Sequence, residues 1–443
     1  MSDFALALWS FPVLLALVFV RMPIALAMIA VGVGGSWMVL GTPMMMLNQS
    51  KTLVYGTFSN YSFSIIPLFL LMGQFATLSG MSASLFRAAE AFLGHRRGGV
   101  AMSAVGACAG FGAICGSSLA TAATMGQTAL PEMKRYGYPG SLSTGALAAG
   151  GTLGILIPPS VILVIYAILA EQNIEKLFVA ALIPGILAAL GYMLAISVWV
   201  RVSPNAAQVK ARVPWSGRLS ALAQVWPVMT IFVAVVGGIY AGIFTPTEAA
   251  AVGAAGTGIA ALAAGQLDWR RLKLAIYATA SSSAMIFLII LGAGIYNSFL
   301  ALTQLPQTAS AWIGGQDVSP WIVLAAVLVM YLIFGCIMDS LSMVLLTVPI
   351  IYPIVSVLDF GLAPGDFGLW FGILVLIVVE VGLITPPVGM NLFIINSMDR
   401  DTPIGQTYRG ALPFVLTDMV RVAILVAFPA ITLWLVRFID GLG

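Results

Sequence analysis

The chain has 443 residues, of which 60% are hydrophobic and only 8% are charged. Soluble domains carry about 25% charged residues, so this composition excludes a soluble enzyme or a soluble binding protein. The formal net charge of +3 is too small to indicate a nucleic-acid partner, and none is expected. Apolar segments that each suffice for one helical crossing of a bilayer recur from Phe4 to Phe438. The sequence predicts an all-α polytopic membrane protein, with residues 1–443 as a single membrane unit.

Polar residues, glycines and prolines divide the chain into apolar segments. The segments span residues 4–20, 23–40, 62–80, 99–115, 117–133, 144–171, 177–201, 225–244, 247–264, 275–302, 320–337, 340–357, 369–397 and 411–438. Two pairs, at 99–133 and 320–357, are separated only by short stretches, "ICGSS" and "CIMDS". We interpret each pair as a re-entrant helical hairpin whose tip stays inside the membrane.

The placement of lysine and arginine supports this interpretation, because these residues favour the cytoplasmic side of short loops. With two hairpins and an outer N-terminus, fifteen of the nineteen Lys and Arg residues fall on the inner side and three on the outer side. Arg421 falls within the last segment, near its inner end. The same topology leaves the C-terminus outside.

Three motifs occur twice in the same order, at an offset of about 220–230 residues. The pairs are "AVGVGGSW" (30–37) with "AVGAAGTG" (251–258), "GSSLAT" (116–121) with "DSLSMV" (339–344), and "GILIPPS" (154–160) with "GLITPPV" (382–388). We predict repeat one at about 1–175, a connecting helix at about 177–201, and repeat two at about 225–443. An odd number of crossings precedes the second repeat, so the repeats have inverted topology.

Each repeat contains an apolar segment with a double proline. Proline lacks an N–H and obstructs the preceding helical turn, so the sequence predicts a Pro-broken transmembrane helix in each repeat. Broken backbone in a membrane is tolerated only where it is buried in protein or faces a wet cavity. A tip rich in Gly and Ser beside such a break offers oxygen atoms to a hard cation such as Na⁺.

The sequence therefore predicts two cation sites and a nearby substrate site. The first cation site contains Gly116, Ser117, Ser118, Thr121, Gly154, Ile155 and Pro158. The second contains Asp339, Ser340, Ser342, Thr385, Pro386, Gly389 and Met390. The candidates for substrate binding are Ser160, Thr121 and Asn391.

Acidic residues within apolar segments have two interpretations each. An ionisable group at membrane depth is a functional candidate, but Asp339 also suits a helix cap on the second arm of its hairpin. Glu380 suits an ion ligand or a hydrogen-bond partner between helices equally well. For Glu248, "TPTE" (245–248) favours a capping box with proline at the first helical position.

The histidine and the serines do not indicate an enzyme. His95, in "GHRRGG", is the only histidine and is predicted in a loop on the inner side. A serine nucleophile at "CGSS" needs a base within hydrogen-bond reach, and that loop cannot supply one. Cys108, Cys115 and Cys336 lack a disulfide or metal-ligand spacing and are predicted to be small core residues.

Several motifs together resemble the large membrane subunit (M subunit, DctM-like) of tripartite ATP-independent periplasmic (TRAP) transporters. The resemblance covers essentially the whole chain and rests on "IPLFLLMGQFATLSGM" (66–81), "GHRRGG" (94–99), "GAICGSSLATAATMG" (112–126), "LPEMKRYGY" (130–138), "GTLGILIPPS" (151–160), "GIYAGIFTPTEAAAVGA" (238–254) and "LITPPVGMNLF" (383–393). The second tip, "CIMDSLSM", matches the first tip poorly, which leaves its ligand assignments less secure.

The resemblance implies a secondary transporter of the bacterial inner membrane, with both termini in the periplasm. Na⁺ is the implied coupling ion, and the substrate is an organic acid such as a C4-dicarboxylate, sialic acid or a related carboxylate. The implied partners are a periplasmic substrate-binding protein (P subunit) and a separate four-helix membrane subunit (Q subunit). The implied mechanism is of the elevator type, with the tips and breaks above as sodium sites. A one-component carboxylate or anion transporter of similar build and a channel-like subunit are the alternatives.

Overall fold

The computed structural model describes residues 2–42, 44–203, 208–315, 318–363 and 365–441, and these residues form helices and no strands. The first half contains α1 (Asp3–Phe19), α2 (Ile24–Leu40), α3 (Met44–Ser59), α4 (Ile65–Leu78), α5 (Met81–Leu93), α6 (Gly99–Cys115), α7 (Ser118–Arg135), α8 (Gly140–Leu156) and α9 (Val161–Leu169). The long helix α10 (Ile174–Val202) follows and leads into the second half.

The second half begins after α10. It contains α11 (Trp215–Ala223), α12 (Trp226–Phe232), α13 (Gly238–Tyr240), α14 (Pro246–Ala263), α15 (Trp269–Leu302), α16 (Leu305–Gly315), α17 (Pro320–Gly335), α18 (Ser340–Val355), α19 (Asp366–Gly382), α20 (Met390–Met398), α21 (Ile404–Ala427) and α22 (Ala430–Asp440). A π-helical turn at Val233–Gly237 joins α12 to α13. The capping box at Thr245 and Glu248 forms as predicted and begins α14.

Each of the predicted apolar segments corresponds to one helix or to two consecutive helices. The helices α3, α5, α11 and α16 were not predicted, because they carry more polar residues than the segments around them. The predicted segment 411–438 also differs from the structure, since it is divided between α21 and α22 at Phe428 and Pro429.

Both double prolines interrupt their helices, as predicted. Helix α8 ends at Leu156 and α9 begins at Val161, with a bend of 48° between them. Helix α19 ends at Gly382 and α20 begins at Met390. The Pro158–Pro159 and Pro386–Pro387 peptide bonds are both cis.

The helices pack in two groups. In one group α2 lies along α15, α4 lies along α14, and α1 and α3 complete the set. In the other group α8 is central and contacts α6, α7, α10 and α21, while α19 contacts α17 and α21. The groups meet where α4 contacts α6 and α9, and where α15 contacts α18. Both hairpin tips therefore lie near the border between the groups.

Four of the described helical segments are long and apolar enough to cross a membrane, and the number rises to six if each bent pair forms one span. The four are Tyr61–Leu78, Ile174–Val202, Trp269–Leu302 and Ile404–Ala427. Large apolar side chains such as Leu190, Leu194 and Val198 on α10 are exposed. An apolar exterior of this kind suits a lipid environment.

Candidate functional site

The first hairpin tip is a tight turn between α6 and α7. Gly116 adopts a left-handed conformation, with φ of 63°, directly after α6, and glycine tolerates this conformation without a Cβ penalty. Ser117 then caps α7, because its Oγ accepts a hydrogen bond from Ala120 N at 3.4 Å. The turn leaves Ser118 and Thr121 on the first turn of α7.

Gly154 of α8 packs directly against this tip. A Cβ at this position would lie 2.6 Å from Thr121 Oγ1 and 2.9 Å from the carbonyl oxygen of Ser117, so only glycine fits. Thr121 is fully buried, and its Oγ1 has no hydrogen-bond partner in the described part of the chain. Ile155 is buried in the last turn of α8, and Pro158 lies in the break that follows. The structure thus brings Ser117, Thr121 and Gly154 together, and a Cβ on Gly116 would lie 3.4 Å from the carbonyl oxygen of Pro159 in the break.

The second tip has a similar construction. Asp339 caps α18, with Oδ2 accepting from Ser342 N at 3.0 Å, which confirms the capping interpretation of Asp339. Gly389 N donates to the carbonyl oxygen of Cys336 at 3.2 Å, so the second break contacts the second hairpin. Gly382 and Gly335 approach so closely that a Cβ on Gly382 would lie 2.4 Å from the carbonyl carbon of Gly335.

The remaining members of the second site lie in or beside the break. Thr385 Oγ1 donates to the carbonyl oxygen of Val381 at 2.6 Å, so this hydroxyl group already has a partner. Pro386 precedes a cis peptide bond, and Met390 begins α20. A role for Asp339 and these residues as ion ligands stays a prediction.

Glu380 connects the two tips. Its buried carboxylate accepts one hydrogen bond from Ser118 Oγ and another, at 2.7 Å, from Ser340 Oγ. Ser118 belongs to the first hairpin, Ser340 to the second, and Glu380 to α19. Of the two interpretations of Glu380, the structure shows the hydrogen-bond partner between helices.

The candidate substrate residues occupy different environments. Ser160 caps α9, since its Oγ accepts from Leu163 N at 3.4 Å. Asn391 is buried against α8, where its Nδ2 donates to the carbonyl oxygen of Ala148 at 3.2 Å and its Oδ1 has no partner. Thr121 Oγ1 and Asn391 Oδ1 are therefore two buried oxygen atoms with free acceptor capacity.

A cavity of about 210 Å³ opens between the two helix groups at the first tip. Its lining includes Gln74 and Thr77 of α4, Ser117 of the first tip, Ser282 of α15 and Leu341 of the second hairpin. Sequence reasoning missed Gln74, Thr77 and Ser282. The signal for Gln74 was a polar side chain in a long apolar segment, which is costly in a membrane unless it faces a cavity or a partner.

A buried ion pair within α21 is joined to α10 and α8 through Tyr192. Arg421 Nη2 lies 2.8 Å from Asp418 Oδ1, and Tyr192 OH donates to Asp418 Oδ2 at 2.6 Å. Tyr192 is also 3.0 Å from Thr152 Oγ1 of α8. Buried charges are tolerated when they are paired in this way. Arg421 is thus engaged within the helix packing and does not line the cavity.

A second ion pair lies outside the apolar segments and joins α7 to the loop after α20. Lys134 Nζ lies 2.5 Å from Asp399 Oδ1 and 2.9 Å from Asp401 Oδ2. Burial disfavours the ionised Asp399 carboxyl group, but hydrogen bonds from Lys134 and Thr402 outweigh this effect and hold its pKa below the ordinary value. Hydrogen bonding to Asp399 and Asp401 raises the pKa of Lys134.

Cys108, Cys115 and Cys336 are free and buried, which confirms their prediction as core residues. Cys115 also touches the cavity at the first tip.

Comparison with known proteins identifies the family. Residues 11–431 match the family model described as "Tripartite ATP-independent periplasmic transporter, DctM component". The chain is 37% identical to the C4-dicarboxylate TRAP transporter large permease protein DctM of Pseudomonas aeruginosa, over 86% of this chain and 87% of that protein. It is 28% identical to the sialic acid TRAP transporter large permease protein SiaM of Vibrio cholerae, over 97% of this chain and 98% of that protein.

Among solved structures, the Alcanivorax borkumensis YdaH transporter is similar, with a TM-score of 0.60 at 15% identity over 86% of this chain and 88% of that chain. This likeness shows a shared helical fold. The resemblance found in the sequence is confirmed: the chain belongs to the DctM family and is a large permease subunit of a TRAP transporter, a multi-pass membrane protein and not an enzyme.

Proposed function

We propose that this chain is the permease subunit of a Na⁺-coupled TRAP transporter that imports a small organic acid across the bacterial inner membrane. The substrate is a C4-dicarboxylate, sialic acid or a related carboxylate, in keeping with the names of the two relatives above. A periplasmic binding protein delivers the substrate, and a four-helix membrane subunit completes the complex. Both termini lie in the periplasm, because that orientation places fifteen of nineteen Lys and Arg residues inside.

The observation that carries the proposal is the cavity at the border of the helix groups. Its described lining contains hydroxyl groups, an amide and apolar side chains, with no Lys or Arg among the lining residues. An organic anion needs a compensating positive charge in such a low-dielectric site. Na⁺ bound at the adjoining tip supplies that charge, so substrate binding depends on the ion.

The buried oxygen atoms at the tips support the choice of Na⁺. Thr121 Oγ1 and Asn391 Oδ1 have no hydrogen-bond partner, and the break at Pro158 frees main-chain carbonyl groups nearby. Oxygen ligands of this kind suit a hard cation. Ion binding orders the tips, and the ordered tips then complete the substrate site.

The packing in two groups supports an elevator mechanism. The group around α8 and α19 carries both tips and both breaks, while α2, α4, α14 and α15 form the other group. In the proposed mechanism the first group moves as a unit against the second and carries the cavity contents across the membrane. In each half a helical hairpin is followed by a broken helix, which supports the inverted repeats on which such a motion depends.

Uptake by proteoliposomes that contain the permease, the small subunit and the binding protein tests the proposal. We expect uptake with an inward Na⁺ gradient and none with an equal K⁺ gradient. Uptake that is unchanged without Na⁺ would contradict the coupling. Uptake by the permease alone would instead favour a one-component transporter.

Asp339→Asn separates an ion ligand from a helix cap. Asparagine caps helices as well as aspartate does, so the variant keeps the bond to Ser342 N and removes only the charge. We expect a lower Na⁺ affinity with unchanged thermal stability. Asp268→Asn is the matched control, because Asp268 caps α15 through Arg271 N at 2.7 Å and lies outside the site. Equal Na⁺ affinity in wild type and Asp339→Asn would show that Asp339 only caps α18 and is not an ion ligand.

A further inference from the structure

Basic residues surround the site where the loop after α5 meets the beginning of α11, with the guanidinium group of Arg218 over the ring of Phe92 of α5. We name His95, Arg96, Arg212 and Arg218 the inner cation cluster, because the predicted topology places this face inside. The cluster lies outside the two tips and the cavity described above. Helices α5 and α11 contact each other beside it.

Arg218 is the buried centre of the cluster. It is only 4% exposed, its Nε donates to the carbonyl oxygen of Val213 at 3.0 Å, and its guanidinium group lies over the rings of Trp215 and Phe92. Its Nη2 is buried and has no hydrogen-bond partner among the described residues, and the same holds for Nδ1 of His95. A buried guanidinium nitrogen without an acceptor is costly, so an anion that accepted a hydrogen bond from it would remove this cost.

The charges at the cluster are not balanced by a nearby carboxylate. Burial lowers the pKa of His95, and the positive charges of Arg218, Arg212 and Arg96 lower it further, with no acidic group among these influences. Glu90, the acidic residue of α5, is already paired with Lys210 at 2.9 Å. The cluster therefore presents positive charge to any anion that reaches it.

The surface beside the cluster is apolar. Trp215, Leu219 and Leu222 recur at helical spacing along α11 and are 64%, 61% and 50% exposed. Arg218 lies one turn after Trp215 on the same helix, but its side chain is buried, with the guanidinium group 5.0 Å from the centre of the Trp215 ring. A short amphipathic helix with exposed Trp and Leu beside cations is typical of a segment that lies in the membrane interface.

We propose that the inner cation cluster binds the phosphate group of an anionic phospholipid, with the acyl chains against Trp215, Leu219 and Leu222. Arginine forms strong charge-assisted hydrogen bonds to phosphate, and basic pockets on the inner side of membrane proteins suit anionic head groups. The exposed apolar stripe favours a lipid over a soluble phosphate ion. The proposal is independent of Na⁺ coupling and of the transported substrate.

The single histidine provides a specific probe. His95 is the only histidine of the full chain, so protein labelled with ¹³C-histidine and purified without a histidine tag gives one ring signal. The lipid-depleted protein is titrated with phosphatidylglycerol, phosphatidylcholine or inorganic phosphate. We expect phosphatidylglycerol to shift the signal and to raise the pKa of His95, because a bound anion stabilises the imidazolium ion.

Variants test the residues of the cluster. Arg218→Gln is expected to weaken phosphatidylglycerol binding by about tenfold or more, the effect of one hydrogen bond to a charged group. Because Arg218 is also packed in the fold, the double variant Arg96→Gln/Arg212→Gln is a second test, since both side chains are exposed. Arg270→Gln, at an exposed arginine at the start of α15, is the control and should bind as wild type does.

The outcomes separate the sources of phosphate. A response to phosphatidylglycerol that the cluster variants weaken supports the proposal. An equal response to inorganic phosphate assigns the cluster to a soluble phosphate and overturns its assignment to a lipid. No response of His95 to either compound, or equal binding by wild type and the double variant, overturns the proposal.

Discussion

The carboxylate of Glu380 makes the two hairpins energetically dependent on each other. It accepts hydrogen bonds from Ser118 and Ser340, and it is only 1% exposed. Removal of either hydroxyl group, in Ser118→Ala or Ser340→Ala, should lower the free energy of unfolding by about 1–2 kcal/mol. This value lies between the free energies measured for hydrogen bonds to charged groups and those for hydrogen bonds between membrane helices. The double variant leaves the buried carboxylate without either donor. Its loss of unfolding free energy should therefore exceed the sum of the two single losses by about 1 kcal/mol.

A double-mutant cycle by steric trapping in lipid bicelles measures this coupling. Ser342→Ala is the matched control, because Ser342 lies on the same tip and contacts Asp339 through its backbone N–H. Its effect should add to that of Ser118→Ala. Glu380→Gln should resemble wild type more than Glu380→Ala does, since an amide can accept from one serine and donate to the other. Additive losses for Ser118→Ala and Ser340→Ala would refute the proposed coupling of the tips.

Two further variants test the packing and the inner ion pair. Gly154→Ala introduces a Cβ 2.6 Å from Thr121 Oγ1, so it should lower stability by about 1–3 kcal/mol and weaken Na⁺ binding. Gly34→Ala, whose Cβ would have no atom within 4 Å, should do neither. Equal Na⁺ affinities of Gly154→Ala and wild type in thermal-shift titrations would contradict this. Asp399→Asn should cost about 0.5–1 kcal/mol at neutral pH, because Lys134 is 41% exposed and its charge is screened. The folded-state pKa of Asp399 is lowered, so its contribution is present above the unfolded pKa of about 3.9 and is lost as pH falls through the folded value. The variant should therefore lose less stability than wild type on acidification, and parallel curves of melting temperature against pH would exclude the effect.

The sequence was sufficient for the features that depend on local chemistry. The double prolines predicted the breaks after Leu156 and Gly382, because proline cannot continue a helix through its own position. "TPTE" predicted the capping box of α14, because a capping box depends only on residues three positions apart. Long apolar segments predicted most of the remaining helices.

Features that depend on distant contacts were not determined by the sequence alone. Glu380 had two equal interpretations, and only the approach of Ser118 and Ser340 from separate hairpins distinguished them. The exposure of Gln74 and Ser282 to a cavity depends on the packing of α4 against α15, which no local pattern contains. The amphipathic helices α5 and α11 were missed because hydropathy detects spans better than interfacial helices.

Hydrogen exchange of the two tips tests the central proposal most directly. The exchange of backbone amides in residues 112–121 and 336–343 is compared by mass spectrometry in Na⁺ and in K⁺ at equal ionic strength. If the tips and breaks hold Na⁺, both segments should exchange more slowly in Na⁺, while α2 should exchange equally in the two salts. Equal exchange of both tips in Na⁺ and K⁺ would contradict the proposed sodium sites.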